Sequence, residues 1–386
     1  MSKDEVRKGL DGVKADYTAV STVGQHEAGL TYRGFAIEDL AASCEFEEVA
    51  HLLMRLSLPD GPTLAAYKQR LASFRALPAG VLTSLEELPK ESHPMDVLRT
   101  VCSVLGCVVP EMGEAGKGDT AGTCERLMPA FVSGVCYWYH FSHFGTRISI
   151  NVSPEDNLAV AFLKMLRNDG KQPSPVHVKV INTSLVLYAE HDFNASTFAS
   201  RIVASTLSDT YSSVCAGIGA LRGPLHGGAN EAVMNMIQDI PSVAAAEEKV
   251  RSLLANKQVI MGFGHRIYKN GDPRNAIFKS LSSELAQGGG KGKLLFDVSA
   301  HIEALMAKEK NMYPNVDFFA ASAYHQVGVP TPLFTPLFVV ARTSGWCAHI
   351  LEQQGGNGNN KIIRPSSSYN GPTKQAYVPI TARSRL

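Results

Sequence analysis

Three histidines, one aspartate and three arginines stand in short polar blocks along an otherwise apolar chain. LYAEHDFNASTF (187–198) carries Tyr188 and His191. GPLHGGANE (223–231) carries His226, and MGFGHRIYKNGDPRN (261–275) carries His265 and Arg274. NVDFFAASAYHQVGV (315–329) carries Asp317, and Arg342 and Arg364 follow. His226 and His265 are each flanked by glycine, where a backbone permits close approach. A plain turn needs glycine too, but two such collars in one chain point to a site. His226 precedes a helical run, and a helix N-terminus disfavours imidazolium. A neutral imidazole there can donate a hydrogen bond to a carbonyl. Asp317 stands beside Val316, Phe318 and Phe319, whose apolar walls would raise its pKa and strengthen it as a base. The plain alternative for Asp317 is a helix cap, and for a helical His191 a satisfied core residue. Arginines fork onto carboxylates. The set suggests proton abstraction next to a carbonyl, with a polycarboxylate as co-substrate.

Other chemistries fit less well. No HxxxH or HExxH occurs and no cysteine pair lies near these histidines, so no metal site is expected. No GxSxG is present, which leaves a serine hydrolase without its nucleophile turn. Neither glycine run (287–293 or 355–360) is followed by the GK[ST] of a phosphate loop.

The elements that must position these residues read as helices. Apolar groups recur three and four apart in 36–56, in 95–109 after Pro94, and in the blocks around 124–144, 196–221, 231–240, 244–256, 273–286, 298–308 and 344–353. The block 185–194 also reads as helix, which places Tyr188 and His191 three apart on one face. Period-two alternation is nearly absent, apart from one short hairpin near 20–37. The fold class is mostly α. Residues 287–293 read as a surface loop, and GGNGNN (355–360) as a tether delivering the tail KIIRPSSSYNGP.

Composition sets outer bounds. The 386 residues are 45% apolar and 19% charged with a net charge of +1, so neither nucleic acid nor an acidic membrane surface is an expected partner. The run LFTPLFVVA (333–341) is far short of the roughly 20 residues of a membrane span and is broken by Pro336. The charged N-terminal stretch reads as no secretory leader. Seven scattered cysteines without a CxxC fit a reducing cytoplasm.

These blocks, with LTYRGFAIEDLA (30–41), CEFEEVAHLL (44–53), SHPMDVLRT (92–100), PLFTPLFVVARTSGWCAHILEQ and KIIRPSSSYNGP, resemble the citrate synthase family, and most closely its 2-methylcitrate synthase branch. The resemblance runs in order from about residue 20 to about 380. It implies a two-domain helical homodimer: a large domain (1–227 and 329–386) and a small mobile one (228–328). It implies Asp317 as the base at the acyl-CoA α-carbon, His226 as donor to the thioester oxygen, and His265 as donor to the ketone of oxaloacetate. Oxaloacetate and product would be held by Tyr188, His191, Arg274, Arg342 and, from the partner subunit, Arg364. Coenzyme A would meet Val259, Ile260, Met261, Gly262 and Phe263, with Lys269 at a phosphate. The acyl-CoA is a substrate, and no cofactor is implied. On this resemblance the glycines around His226 give a bulky thioester access to the ring. Propionyl-CoA is the favoured acyl donor, on Tyr188 and the longer motif matches, with acetyl-CoA as a side activity. Val316 argues for acetyl-CoA, and so for a citrate synthase. A catalytically silent relative with a binding role is the third reading.

Overall fold

The computed structural model describes residues 6–10, 12–24, 29–111, 119–150, 152–269, 271–355 and 361–383. Near the start the expected hairpin is three short antiparallel strands: β1 (Ser21–Val23), β2 (Leu30–Tyr32) and β3 (Phe35–Ala36). Ser21 pairs with Tyr32 and Val23 with Leu30, and Thr31 pairs with Ala36. The sheet does one positional job. The Tyr32 hydroxyl donates to the Glu190 carbonyl (3.0 Å) and accepts from the Glu190 N–H (3.2 Å). It thereby fixes the turn that carries His191.

The rest is helical. α1 (Ile37–Ser43) and α2 (Phe46–Arg55) divide what the periodicity reads as one helix. The break falls at Glu45, which forms a capping box with Glu48. α3 (Gly61–Ser73) and α4 (Ala79–Glu86) lead to α5 (Pro94–Val108), whose proline sits in the first turn as expected. α6 (Thr120–Phe144), α7 (Leu158–Arg167) and α8 (Pro175–Tyr188) follow. The block 196–221 also divides, into α9 (Ala195–Ala204) and α10 (Thr210–Leu221). Leu207 has a positive φ of 62°, and Asp209 caps the second helix through Ser212 N–H. Then come α11 (Ala229–Ile237), α12 (Val243–Ala255), α13 (Pro273–Ala286), α14 (Gly290–Lys310), α15 (Val316–Val327) and α16 (Phe334–Gly355).

Two departures have clear physical causes. The expected loop at 287–293 stops at Gly289, because α14 starts at Gly290. A Cβ on Gly292 would lie 2.8 Å from Gln326 Oε1, so that glycine serves close packing on α15. The apolar run at 333–341 is not broken by Pro336, which lies in the first turn of α16, where its missing N–H costs nothing. α16 is buried along nearly its whole length and packs on α2, α6, α8 and α9. α11 to α15 pack mainly on one another and meet the rest chiefly through α1, α8 and α16. Among the described residues no helix is long and apolar enough to cross a membrane. Of the expected tether at 355–360, Gly355 ends α16 and 356–360 lie outside the described residues, and the tail beyond is exposed almost throughout.

Candidate active site

The four blocks converge on one cleft of about 550 Å³ between α11–α15 on one side and α8, α9 and α16 on the other. His191, His226, His265, Arg274, Asp317 and Arg342 all line it, and so does the run from Val259 to Phe263. Two of the blocks are joined directly. Phe263 and Pro314 form an isolated antiparallel bridge, Asn315 N–H donates to the Gly262 carbonyl (2.9 Å), and Gly264 N–H donates to that of Tyr313 (3.0 Å). The Asn315 side chain caps α15 by accepting from the Asp317 N–H (3.1 Å). The cap is therefore Asn315, and the Asp317 carboxylate is left for other work.

Asp317 is buried, and its Oδ1 accepts from the Tyr188 hydroxyl at 2.7 Å. Burial raises its pKa to about 6, although the Tyr188 hydrogen bond and the charge of Arg274 pull the other way. A base in that range is ionised at neutral pH and stronger than an ordinary carboxylate. Tyr188 itself is fully buried and is not among the side chains that line the cleft. The Tyr188 hydroxyl, expected at the substrate, is here hydrogen-bonded to the Asp317 carboxylate. Nor do Tyr188 and His191 share a helix face. α8 ends at Tyr188, and His191 lies in the turn beyond it, ahead of a positive φ of 52° at Asp192.

Main-chain donors place the ring protons. His265 Nδ1 accepts from the N–H groups of Ile267 (3.1 Å) and Tyr268 (3.2 Å), so its proton is on Nε2. His226 Nε2 accepts from the Ser196 N–H (3.3 Å), with Ser196 Oγ at 2.9 Å. Ser196 Oγ accepts from Trp346 Nε1–H (3.1 Å) and its hydroxyl donates to Asn194 Oδ1 (2.8 Å), so it is the main-chain N–H of Ser196 that assigns the His226 proton to Nδ1. Burial first, then the charge of Arg342, pushes His226 down to about 4. Burial and then Arg274 do the same to His265. Both rings are neutral donors at neutral pH. The helix start that meets His226 is that of α9, which supplies the Ser196 N–H, rather than that of α11 behind it.

The glycines around His226 act differently from the expectation. A Cβ on Gly227 would lie 2.5 Å from the Leu221 carbonyl oxygen, and one on Gly223 3.3 Å from that of Ala220. They let the turn close tightly on α10, with His226 N–H donating to Gly223 O and Gly227 N–H to Leu221 O (both 2.9 Å). Access to the ring comes from the cleft instead.

At one end of the cleft two cationic side chains and a histidine are buried together. Arg342 is buried, donates from Nε to the Tyr188 carbonyl (2.7 Å) and lies over the Phe338 ring (4.8 Å). Arg274 is buried and forked onto Asp272. His191 is buried with Nε2 unpartnered, and burial followed by both arginines holds its pKa well below the ordinary value. Its ring meets that of His265 edge-on at 5.3 Å. An incoming carboxylate would satisfy these donors. Lys269 is exposed and outside the cleft lining, and Arg364 is exposed and outside the cleft of its own chain. Among the described residues no three His, Cys, Asp or Glu side chains converge as a metal site requires. The sequence reading missed Asp272, Ser196, Asn315 and Phe338. Asp272 and Asn315 left a signal, each as a capping residue at a helix start; Ser196 and Phe338 left none.

Comparison with known proteins agrees with this geometry. The profile of the family "Citrate synthase, C-terminal domain" matches residues 9–366. The 2-methylcitrate synthase of Shewanella oneidensis is 50% identical over 375 residues, 97% of each chain. Citrate synthase 2 of Bacillus subtilis is 42% identical, covering 98% of this chain and 99% of its own. The ternary complex of Thermoplasma acidophilum citrate synthase with carboxymethyl coenzyme A and oxaloacetate superposes with a TM-score of 0.89 at 30% identity, covering 98% of this chain and 100% of that one.

Proposed function

Because the chain belongs to the citrate synthase family, we propose that it condenses propionyl-CoA with oxaloacetate and hydrolyses the product thioester to 2-methylcitrate and coenzyme A. The observation that carries the chemistry is the pair of neutral histidines with fixed protons, lining one cleft with a carboxylate whose pKa is raised to about 6. Asp317 removes a proton from the acyl α-carbon through Oδ2, since Oδ1 is held by Tyr188. His226 Nδ1–H donates to the thioester oxygen and stabilises the enol as it forms. His265 Nε2–H donates to the ketone and supplies the proton to the alkoxide as the carbon–carbon bond closes. Water then cleaves the thioester. His191, Arg274 and Arg342 hold the carboxylates of oxaloacetate, and the run 259–263 takes coenzyme A.

The chain works as a homodimer in this reading, with Arg364 reaching the partner's site. The exposure of the tail and of Arg364 supports it. Residues 228–328 close over the bound substrates, excluding water and drawing Lys269 toward a phosphate. The cysteines among the described residues are free, in keeping with a cytoplasmic enzyme.

The preference for propionyl-CoA rests on the Shewanella oneidensis relative. The extent of likeness to the Bacillus subtilis citrate synthase supports the second reading, in which acetyl-CoA is preferred. One methylene in an apolar pocket is worth only ~1–3 kcal/mol, so both substrates turn over. Coenzyme A release with oxaloacetate, at matched propionyl-CoA and acetyl-CoA concentrations, decides between them. A higher kcat/KM for propionyl-CoA is expected. A higher value for acetyl-CoA makes the protein a citrate synthase, and no release with either makes it a silent relative.

A further inference from the structure

One buried carboxylate links the substrate-gripping end of the cleft to its base. Asp272 has a fully buried side chain and does not line the cleft. Its Oδ1 accepts from the backbone N–H of Arg274 (3.0 Å), capping α13, and from Arg274 Nε (3.0 Å). Its Oδ2 accepts from Arg274 Nη2 (2.7 Å) and from the backbone N–H of Val316 (3.2 Å). Val316 is the residue before Asp317. Four donors thus converge on two oxygens, and they come from the starts of both α13 and α15.

We infer that Asp272 is a positioning residue that sets the Arg274 guanidinium and the Asp317 carboxylate together, so that capture of oxaloacetate and proton abstraction are coupled through one side chain. This rests on the function proposed above. The geometry has two consequences. The Nε edge of the Arg274 fork is occupied, so a substrate carboxylate must take the guanidinium from its other edge, through Nη1. Because α13 and α15 share one anchor, a shift of Arg274 toward the substrate is transmitted to the first turn of α15. Electrostatics act in the same direction. Burial works against the charge of Arg274, but Asp272 outweighs it and raises the guanidinium pKa. Arg274 in turn holds the Asp272 carboxyl below its ordinary value against burial. At Asp317, burial raises the pKa and the Tyr188 hydrogen bond and Arg274 lower it, while Asp272 works against Arg274, so removing Asp272 leaves the pull of Arg274 unopposed.

Asp272→Asn is nearly isosteric but presents one acceptor and one donor where four donors converge. A charge-assisted hydrogen bond is worth about 1.5–3 kcal/mol, so KM for oxaloacetate should rise about 10-fold to 150-fold. The acid limb of kcat/KM should move below its wild-type position near pH 6, because Arg274 then faces Asp317 uncompensated. A loosened fold could imitate either change alone, so the deciding measurement is the double-mutant cycle. In an Arg274→Gln background, Asp272→Asn should add less than about threefold to KM, because its route through Arg274 is gone. The double variant carries no buried charge at this point and should melt above Asp272→Asn. Additive losses across the cycle, or wild-type KM and pH limb in Asp272→Asn, would overturn the inference. If the wild-type protein releases no coenzyme A, the proposed function fails by itself. Calorimetric titration of the same four proteins with oxaloacetate then reads the coupling directly.

Discussion

The hydrogen bond from Tyr188 to Asp317 is the most economical place to test the assignment of the base. Tyr188→Phe removes one hydroxyl and keeps the ring, which packs at 4.3 Å on Phe338 and 5.7 Å on Phe278. The lost bond is short (2.7 Å), buried and made to a charged acceptor. Such bonds are worth about 1.5–3 kcal/mol, and each pKa unit corresponds to about 1.4 kcal/mol. The hydroxyl favours the charged carboxylate, so its loss raises the pKa of Asp317 by about one to two units. Starting from about 6, the acid limb of kcat should then fall near pH 7 to 8. At pH 6 the ionised fraction drops from about one half to between about a tenth and a hundredth, which lowers turnover about fivefold to fiftyfold. Above pH 9 the variant should recover, since an ionised base of higher pKa is the stronger one. The assay is initial-rate coenzyme A release from pH 5 to 9.5 at saturating substrates. A limb that stays in place or moves to lower pH would refute the reasoning, because Tyr188 would then not be stabilising the ionised base.

Three further perturbations test separate parts of the site. Asp317→Asn should lower turnover by about 10²–10⁴-fold and, unusually for an active-site change, stabilise the fold. Burial raises the Asp317 pKa from 3.8 to about 6, so its contribution to stability is full below about pH 4 and lost as pH rises through 6. The gap corresponds to about 3 kcal/mol, so calorimetric melting should favour the variant at pH 8 and not at pH 4; equal Tm at pH 8 would contradict the burial argument. Gly227→Ala forces a Cβ to 2.5 Å from the Leu221 carbonyl, whereas at Gly228 the nearest atom is 3.7 Å away. The first variant should lose about 1–3 kcal/mol of stability and at least tenfold in kcat, with Gly228→Ala close to wild type. Arg364→Ala and Asp317→Asn should each be poorly active, but co-refolded mixtures should regain activity, since one of the two sites in each mixed dimer would be intact. No recovery on mixing would place Arg364 outside the partner's site.

Most of the site could be read from the sequence because its polar residues stand in short blocks where glycine, proline and helix starts punctuate the chain. What escaped is the part made by tertiary approach. The run YAEHDFN keeps an apolar period, but Tyr32 hydrogen-bonds the Glu190 backbone and turns the chain, so α8 stops at Tyr188. The neutrality of His226 was legible, but not its source. Burial, Arg342 from α16 and an N–H from α9 all lie remote in sequence. Asp272 stands inside a legible motif, but only the folded chain brings the Val316 N–H to it. Glycines misled twice, at 227 and 292, since a missing Cβ can serve a close neighbour as well as an open approach.

The ring protons of His226 and His265 are placed by amide groups of Ser196, Ile267 and Tyr268. An amide N–H belongs to every residue but proline. No ordinary substitution at these three positions can delete the donor, so the protonation pattern is insulated from drift in the side chains around it. The walls of the cleft are then free to vary while the acid–base arrangement persists. Variation of acyl preference on an unchanged catalytic frame is what such a division of labour permits.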